Sequence, residues 1–103
     1  MRTLRAQTTA TVFGTHDLWS LARHPQFAGA GVECTVRLEI QGDETNGFHL
    51  VKRPDGFFTA DDWHSTIEDA KRAANELFGV AAQQWSEVPS NGVLQRTALA
   101  RRR

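Results

Sequence analysis

Residues 61–79 read Asp61-Asp-Trp-His-Ser-Thr-Ile-Glu-Asp-Ala-Lys-Arg-Ala-Ala-Asn-Glu-Leu-Phe-Gly79. Ile67, Ala70, Ala74, Leu77 and Phe78 recur at i, i+3, i+7, i+10 and i+11, the spacing of one helix face. Ser65 stands three residues before Glu68, so its hydroxyl can take a free backbone N–H of the first turn while the carboxylate reaches back. Gly79 follows the last periodic residue and can close the helix in the left-handed conformation. Glu68, Arg72 and Glu76 have i,i+4 spacing on the opposite face, worth a few tenths of a kcal/mol per pair. The pattern predicts an amphipathic helix over 66–78, capped by Ser65, lying as a lid on a core.

Upstream of the helix the period changes from 3.6 to 2. Val32, Cys34, Val36, Leu38 and Ile40 alternate with Glu33, Thr35, Arg37 and Glu39. Strict alternation marks a strand with one buried and one wet face, the habit of an antiparallel sheet. Residues 41–47, with two glycines and Asn46, read as a turn. Residues 48–53 read as a second strand. Pro54-Asp55-Gly56 is a turn in which proline presets the first corner and glycine supplies positive φ. Residues 57–60 read as a third strand. The chain therefore predicts an α+β class fold: an antiparallel β-meander, with a β-β-β-α core and one main helix packed on one face.

Toward the N-terminus the β-branched run Thr8–Phe13 predicts a strand. Thr15 is placed to cap a short helix over 16–23, which Pro25 would end. Downstream, Trp85 is expected to fold back, with a short strand over 84–88. Residues 1–92 are read as a single α+β domain, and 93–103 as a basic C-terminal tail that is flexible.

The chain has 103 residues, with twelve basic and twelve acidic side chains. That length suits one domain with one modest core. The balance hides an asymmetry. From Arg96 onward there are four arginines and no acid, so residues 1–95 carry eight basic against twelve acidic groups, a charge of −4. Such a body repels phosphate backbones. No apolar run approaches the roughly 18 residues of a membrane span. The first ten residues lack the apolar segment of a secretory signal. The single Cys34 has no disulfide partner within the chain and falls on the apolar strand face, which predicts an inert thiol. Together these features predict a cytoplasmic protein.

Nothing in the sequence matches a catalytic or cofactor motif: there is no G-x-S-x-G, no phosphate loop and no H-E-x-x-H. No cofactor, metal site or catalytic residue is therefore predicted. The densest polar cluster is Asp61, Asp62 and His64, read as a polar turn whose acids favour the helix N-terminus. Trp63 beside them is the candidate interface anchor.

The run from Trp63-His64 through the helix to Phe78-Gly79, with the later Trp85, resembles a pattern in small uncharacterised bacterial proteins. In these a strand ends in W-H, a [ST]-x-E-D-A helix follows, and the helix closes at F-G. More loosely, the strands and helix are similar to the partial double-stranded-RNA-binding-like domain of HicB-type antitoxins. The resemblance covers about residues 46–86. Its motif encodes a helix cap and a packing face, so it implies strands followed by a covering helix. No DNA-binding segment follows the domain, so operator binding is not implied.

Three functional expectations follow. The first is a non-enzymatic protein that binds another protein, antitoxin- or immunity-like, through Trp63, Asp61, Asp62 and His64, or that pairs with a second copy through an edge strand. The second is nucleic-acid binding through the basic termini, with Arg101, Arg102 and Arg103 on the phosphates. The third is a small metal-dependent hydrolase at Asp61, Asp62 and His64.

Overall fold

The computed structural model describes residues 1–23 and 29–89. Residues 93–103, with Arg101, Arg102 and Arg103, and Pro25 as a helix stop, lie outside the described residues.

Antiparallel strands dominate, with one helix, so the α+β class fits. Strand β1 spans Arg2–Gly14, β2 Trp19–Ser20, β3 Val32–Asp43, β4 Gly47–Pro54 and β5 Ala60–His64. Helix α1 spans Ile67–Phe78, and β6, Ser86–Val88, follows a single 3-10 turn at Ala82–Gln84. The sheet order is β2-β1-β3-β4-β5, and β6 also pairs with β1. Two elements thus share the outer side of β1: β6 along Thr3–Arg5 and β2 at Phe13–Gly14.

The alternation in β3 sorts its residues by face from Cys34 to Ile40, while Val32 at its start is 54% exposed. Val36, Leu38 and Ile40 are buried, and with Leu4, Phe48 and Leu50 they form one cluster with Ile67, Ala70, Ala74, Val80 and Trp85. The opposite, outer face carries Arg5, Arg37, Glu39, His49, Arg53, Asp61 and Trp63, as the cross-strand pairings fix. Ala70 and Ala74 are fully buried. Their small side chains let α1 approach the sheet closely.

Several expectations are corrected. The first strand begins at Arg2 rather than Thr8. Its inward positions, Leu4, Ala6, Thr8, Ala10 and Val12, do alternate, but alanine and threonine hide the hydrophobic signal. Residues 16–23 are not a helix. Thr15 and Leu18 exchange backbone hydrogen bonds (2.8 and 3.3 Å) and close a hairpin between β1 and β2. Thr15 is therefore a turn residue; its hydroxyl accepts from Leu18 N (3.2 Å). Trp19 then donates from Nε1 to Phe58 O (3.0 Å), and Phe58 N donates to His16 O (2.9 Å). Those bonds hold residues 57–59 outside the sheet, so the third meander strand starts at Ala60 and ends at His64 instead of spanning 57–60. A turn does form there, with Phe57 N donating to Pro54 O (3.1 Å), but Pro54 is the last residue of β4 and not the first corner; Asp55 and Gly56 (φ +89°) take the corners.

The helix begins one residue later than expected. Thr66 is extended (φ −135°) and its hydroxyl accepts from Asp69 N (3.0 Å), while Ser65 Oγ donates to Asp69 Oδ2 (3.3 Å). Thr66→Ala is therefore expected to cost about 0.5–2 kcal/mol and Ser65→Ala clearly less; urea melts of the two variants measure the difference. Gly79 closes α1 with φ +72° and an N–H bond to Asn75 O (2.8 Å). Leu77 is 46% exposed, so it does not belong to the buried face. Leu77→Ala should cost about 1 kcal/mol or less by the same melts, since little of its surface leaves water on folding. Arg72 bonds Asp69 (2.7 Å) rather than Glu68 or Glu76. Trp85 packs into the core, as expected, and β6 forms within the expected segment.

Candidate functional site

Asp61, Asp62, Trp63 and His64 are not a loop before the helix but the edge strand β5, paired on one side with β4. Successive strand residues point to opposite faces. Asp61 and Trp63 therefore share the outer face with Val51 and His49, and Asp62 and His64 share the helix face with Leu50 and Phe48. The cluster that is dense in sequence is split by the sheet. Among the described residues no group of three His, Cys, Asp or Glu side chains is placed to hold a metal ion.

On the helix face Asp62 is a hub. Lys52 Nζ lies 2.5 Å from Oδ1, and His64 Nε2 lies 2.7 Å from Oδ2. An ionised carboxylate only accepts, so His64 carries its proton on Nε2 and donates it. Partial burial pulls the Asp62 carboxyl up, but the bonds from Lys52 and His64 outweigh burial and hold it below its ordinary value of 3.8. Glu39 on the outer face behaves alike: burial is opposed by Gln41, Arg53 and Arg5, and the net shift is downward from 4.5. In both cases the native state binds fewer protons than the unfolded chain near these values. The stability the two groups contribute is present in full above about pH 5 and is lost as pH falls through their lowered native values. Thermal melts from pH 6 to 2 should show a falling Tm below pH 4, and Asp62→Asn should flatten part of that fall.

On the outer face Trp63 has two different sides. A Cβ placed on Gly47 would meet the Trp63 ring at 2.4 Å, so the indole lies directly against the Gly47 backbone. Its Nε1 donates to Asn46 O (3.0 Å). The rest of the side chain is open, leaving the residue 56% exposed. Next to it, His49 Nδ1 is 3.1 Å from Asp61 Oδ2.

The side of β5 away from β4 pairs with no strand among the described residues. A groove of about 520 Å³ runs there, lined by Trp63, His64, Ser65, Asp69, Arg72, Ala73 and Glu76. Trp63 and His64 point to opposite faces, so a groove that touches both must follow the free edge of the strand. Asp69, Arg72, Ala73 and Glu76 are i, i+3, i+4 and i+7, one continuous stripe of α1. The groove is thus a strand edge facing a helix flank. Its charged walls are Asp69 and Glu76 against Arg72, a net −1. Asp69 is bound by Arg72, which holds its carboxyl below the ordinary range. Glu76 makes no ion pair among the described residues.

The sequence pointed to Trp63 and His64 but not to the helix stripe. Asp69, Arg72, Ala73 and Glu76 read there only as the wet face of an amphipathic helix. Asp61 and Asp62 do not line the groove. Cys34 is half-buried against the core, and burial, with the nearby Asp55 charge, pushes its thiol up, away from reactivity.

No helix among the described residues is long and apolar enough to cross a membrane. Comparison with protein-family models, curated proteins and solved structures finds no match for this chain.

Proposed function

We propose that the protein is a binding module that takes an extended segment of a partner protein along the free edge of β5. The observation that carries this reading is the groove itself: an unpaired strand edge, a helix stripe opposite it, and a half-open tryptophan at its mouth. An added strand would satisfy the edge N–H and C=O groups with main-chain bonds, and the helix flank would select side chains. The net −1 of the groove, with Glu76 unpaired among the described residues, favours a partner segment bearing lysine or arginine.

A second copy of this chain fits less well. Antiparallel self-pairing of β5 about its central residue sets Asp62 against its own copy, and like charges directly opposite destabilise a strand pair. Asp62 on the helix face also serves as a guard: an inward-pointing charge on a short edge strand discourages indiscriminate pairing.

Panning a random peptide-display library on the protein tests the reading. Extended, basic peptides should be enriched. Ala73→Trp, which fills the groove from the helix side, should abolish their binding while the fold, checked by circular dichroism, stays intact. Trp63→Ala should weaken the same peptides by about 2 kcal/mol, as expected for an aromatic anchor. Binders that ignore both substitutions would contradict the proposal.

A further inference from the structure

Away from the groove, the outer face of the sheet gathers three of the chain's arginines. The β3–β4 register sets Arg37 directly across from Arg53, and the β1–β3 register sets Arg5 across from Glu39, one step along the same face. Like charges directly opposite in a strand pair destabilise it unless something neutralises them. The neutralisation on the molecule is incomplete. Arg5 Nε takes Glu39 Oε2 (2.8 Å), Arg53 takes Glu39 Oε1 (3.3 Å), and Arg37 takes Asp55 Oδ1 (2.9 Å). Glu39, whose side chain is only 13% exposed, also accepts from Gln41, so both its oxygens are committed. Three guanidinium groups against two carboxylates leave +1 on a body that is acidic as a whole.

These side chains ring a depression of about 230 Å³, lined by Arg5, Gln7, Arg37, Glu39 and Arg53, with Ala6 and Leu38 between the strands. Each guanidinium uses one nitrogen in the ion pairs above and carries five N–H donors in a planar fork. A fork with spare donors, repeated three times around one hollow, matches a compact oxyanion with several acceptor oxygens better than it matches a single carboxylate.

From this geometry we infer that the outer sheet face holds an anion site, formed by Arg5, Arg37 and Arg53, for a phosphate monoester carried on a small molecule. Glu39 is the built-in competitor: it occupies Arg5 and Arg53 when the site is empty, while Asp55 holds Arg37. The site is independent of the β5 groove, since none of its residues lines that groove.

The test follows the arginine Nε–Hε cross-peaks by NMR at pH 7.5. Phenyl phosphate, inorganic phosphate and dimethyl phosphate are titrated at constant ionic strength set with sodium chloride. Phenyl phosphate and inorganic phosphate should shift the Arg5, Arg37 and Arg53 peaks saturably, with Kd of about 1 mM or below. Dimethyl phosphate, a diester with one charge, should bind at least about tenfold more weakly. Arg37→Gln leaves the Glu39 bonds in place and should weaken the monoester about tenfold. Glu39→Gln removes the competitor and should tighten it; phosphate should also raise the Tm of that variant more than that of the wild type. Shifts that track chloride equally, or that persist unchanged in Arg37→Gln, would overturn the inference. So would equal binding of the diester, which is the signature of a nucleic-acid backbone surface instead. If Glu39→Gln does not fold, the Arg37→Gln titration alone still decides.

Discussion

Gly42→Ala should be among the most damaging single substitutions in the chain, at roughly 2–6 kcal/mol. Gly42 sits in β3 with φ +153°, opposite Phe48 at the β3–β4 hairpin. A Cβ there would lie 2.0 Å from Gly47 O and 2.8 Å from Phe48 Cα, and both are backbone atoms that cannot swing aside. Backbone strain supplies about 1–3 kcal/mol of the cost, and the forced shift of the partner strand about the same again. Gly47→Ala combines positive φ (+85°) with a clash against the Trp63 ring. It should cost less, because the indole can move. For that reason it should move Trp63 off the hairpin, change its fluorescence, and disturb the mouth of the groove. Urea melts with emission spectra of both variants check this pair. If Gly42→Ala cost under about 1 kcal/mol, the Gly42–Phe48 register of the hairpin would be wrong.

The second large effect is Phe48→Ala, expected to cost about 3–5 kcal/mol. Phe48 heads the fully buried side chains of the core. It sits on β4 beneath the start of α1, pairs across strands with Gly42 and His64, and shares a cluster with Ile67. Gly42 and the rigid hairpin leave little room for collapse, so the cavity should stay open. Chemical denaturation should show the loss as a lower midpoint with an unchanged slope. Val51→Ala on the outer face, outside the main cluster, provides the contrast and should cost less.

The parts that were legible in the sequence are those where one periodicity acts alone. Residues 32–40 alternate without a fault in the sequence, and they form the first nine residues of β3. Ile67, Ala70 and Ala74 repeat at helical spacing, and they are the buried face of α1. The illegible parts are decided by contacts distant in sequence. Residues 2–7 belong to β1 because β3 and β6 flank them, yet Arg2, Thr3, Arg5 and Gln7 show no apolar run. Residues 16–23 carry a helix-like pattern, but Trp19 finds its hydrogen bond 39 residues away on Phe58, and the hairpin prevails. The same bond delays β5 to Ala60, turning an apparent polar loop at Asp61–His64 into an edge strand. That single shift changes the site. In a loop, the acids and His64 could have converged; on a strand they alternate. The arginine hollow was half visible, since Arg37 lies on the wet side of the alternation, but Arg5 and Arg53 join it only through register.

Amide hydrogen exchange reads out whether the free edge of β5 receives an extended segment. The protein is compared alone and saturated with a peptide selected from the display library. The edge amides of residues 60–64 that point away from β4 exchange freely in an unpaired strand, and an added strand hydrogen-bonds them. Strong new protection is expected at those amides, with peptide contacts to Ala73 and Glu76 on α1 and none at Arg37. A bound peptide that leaves the β5 edge amides unprotected would contradict it.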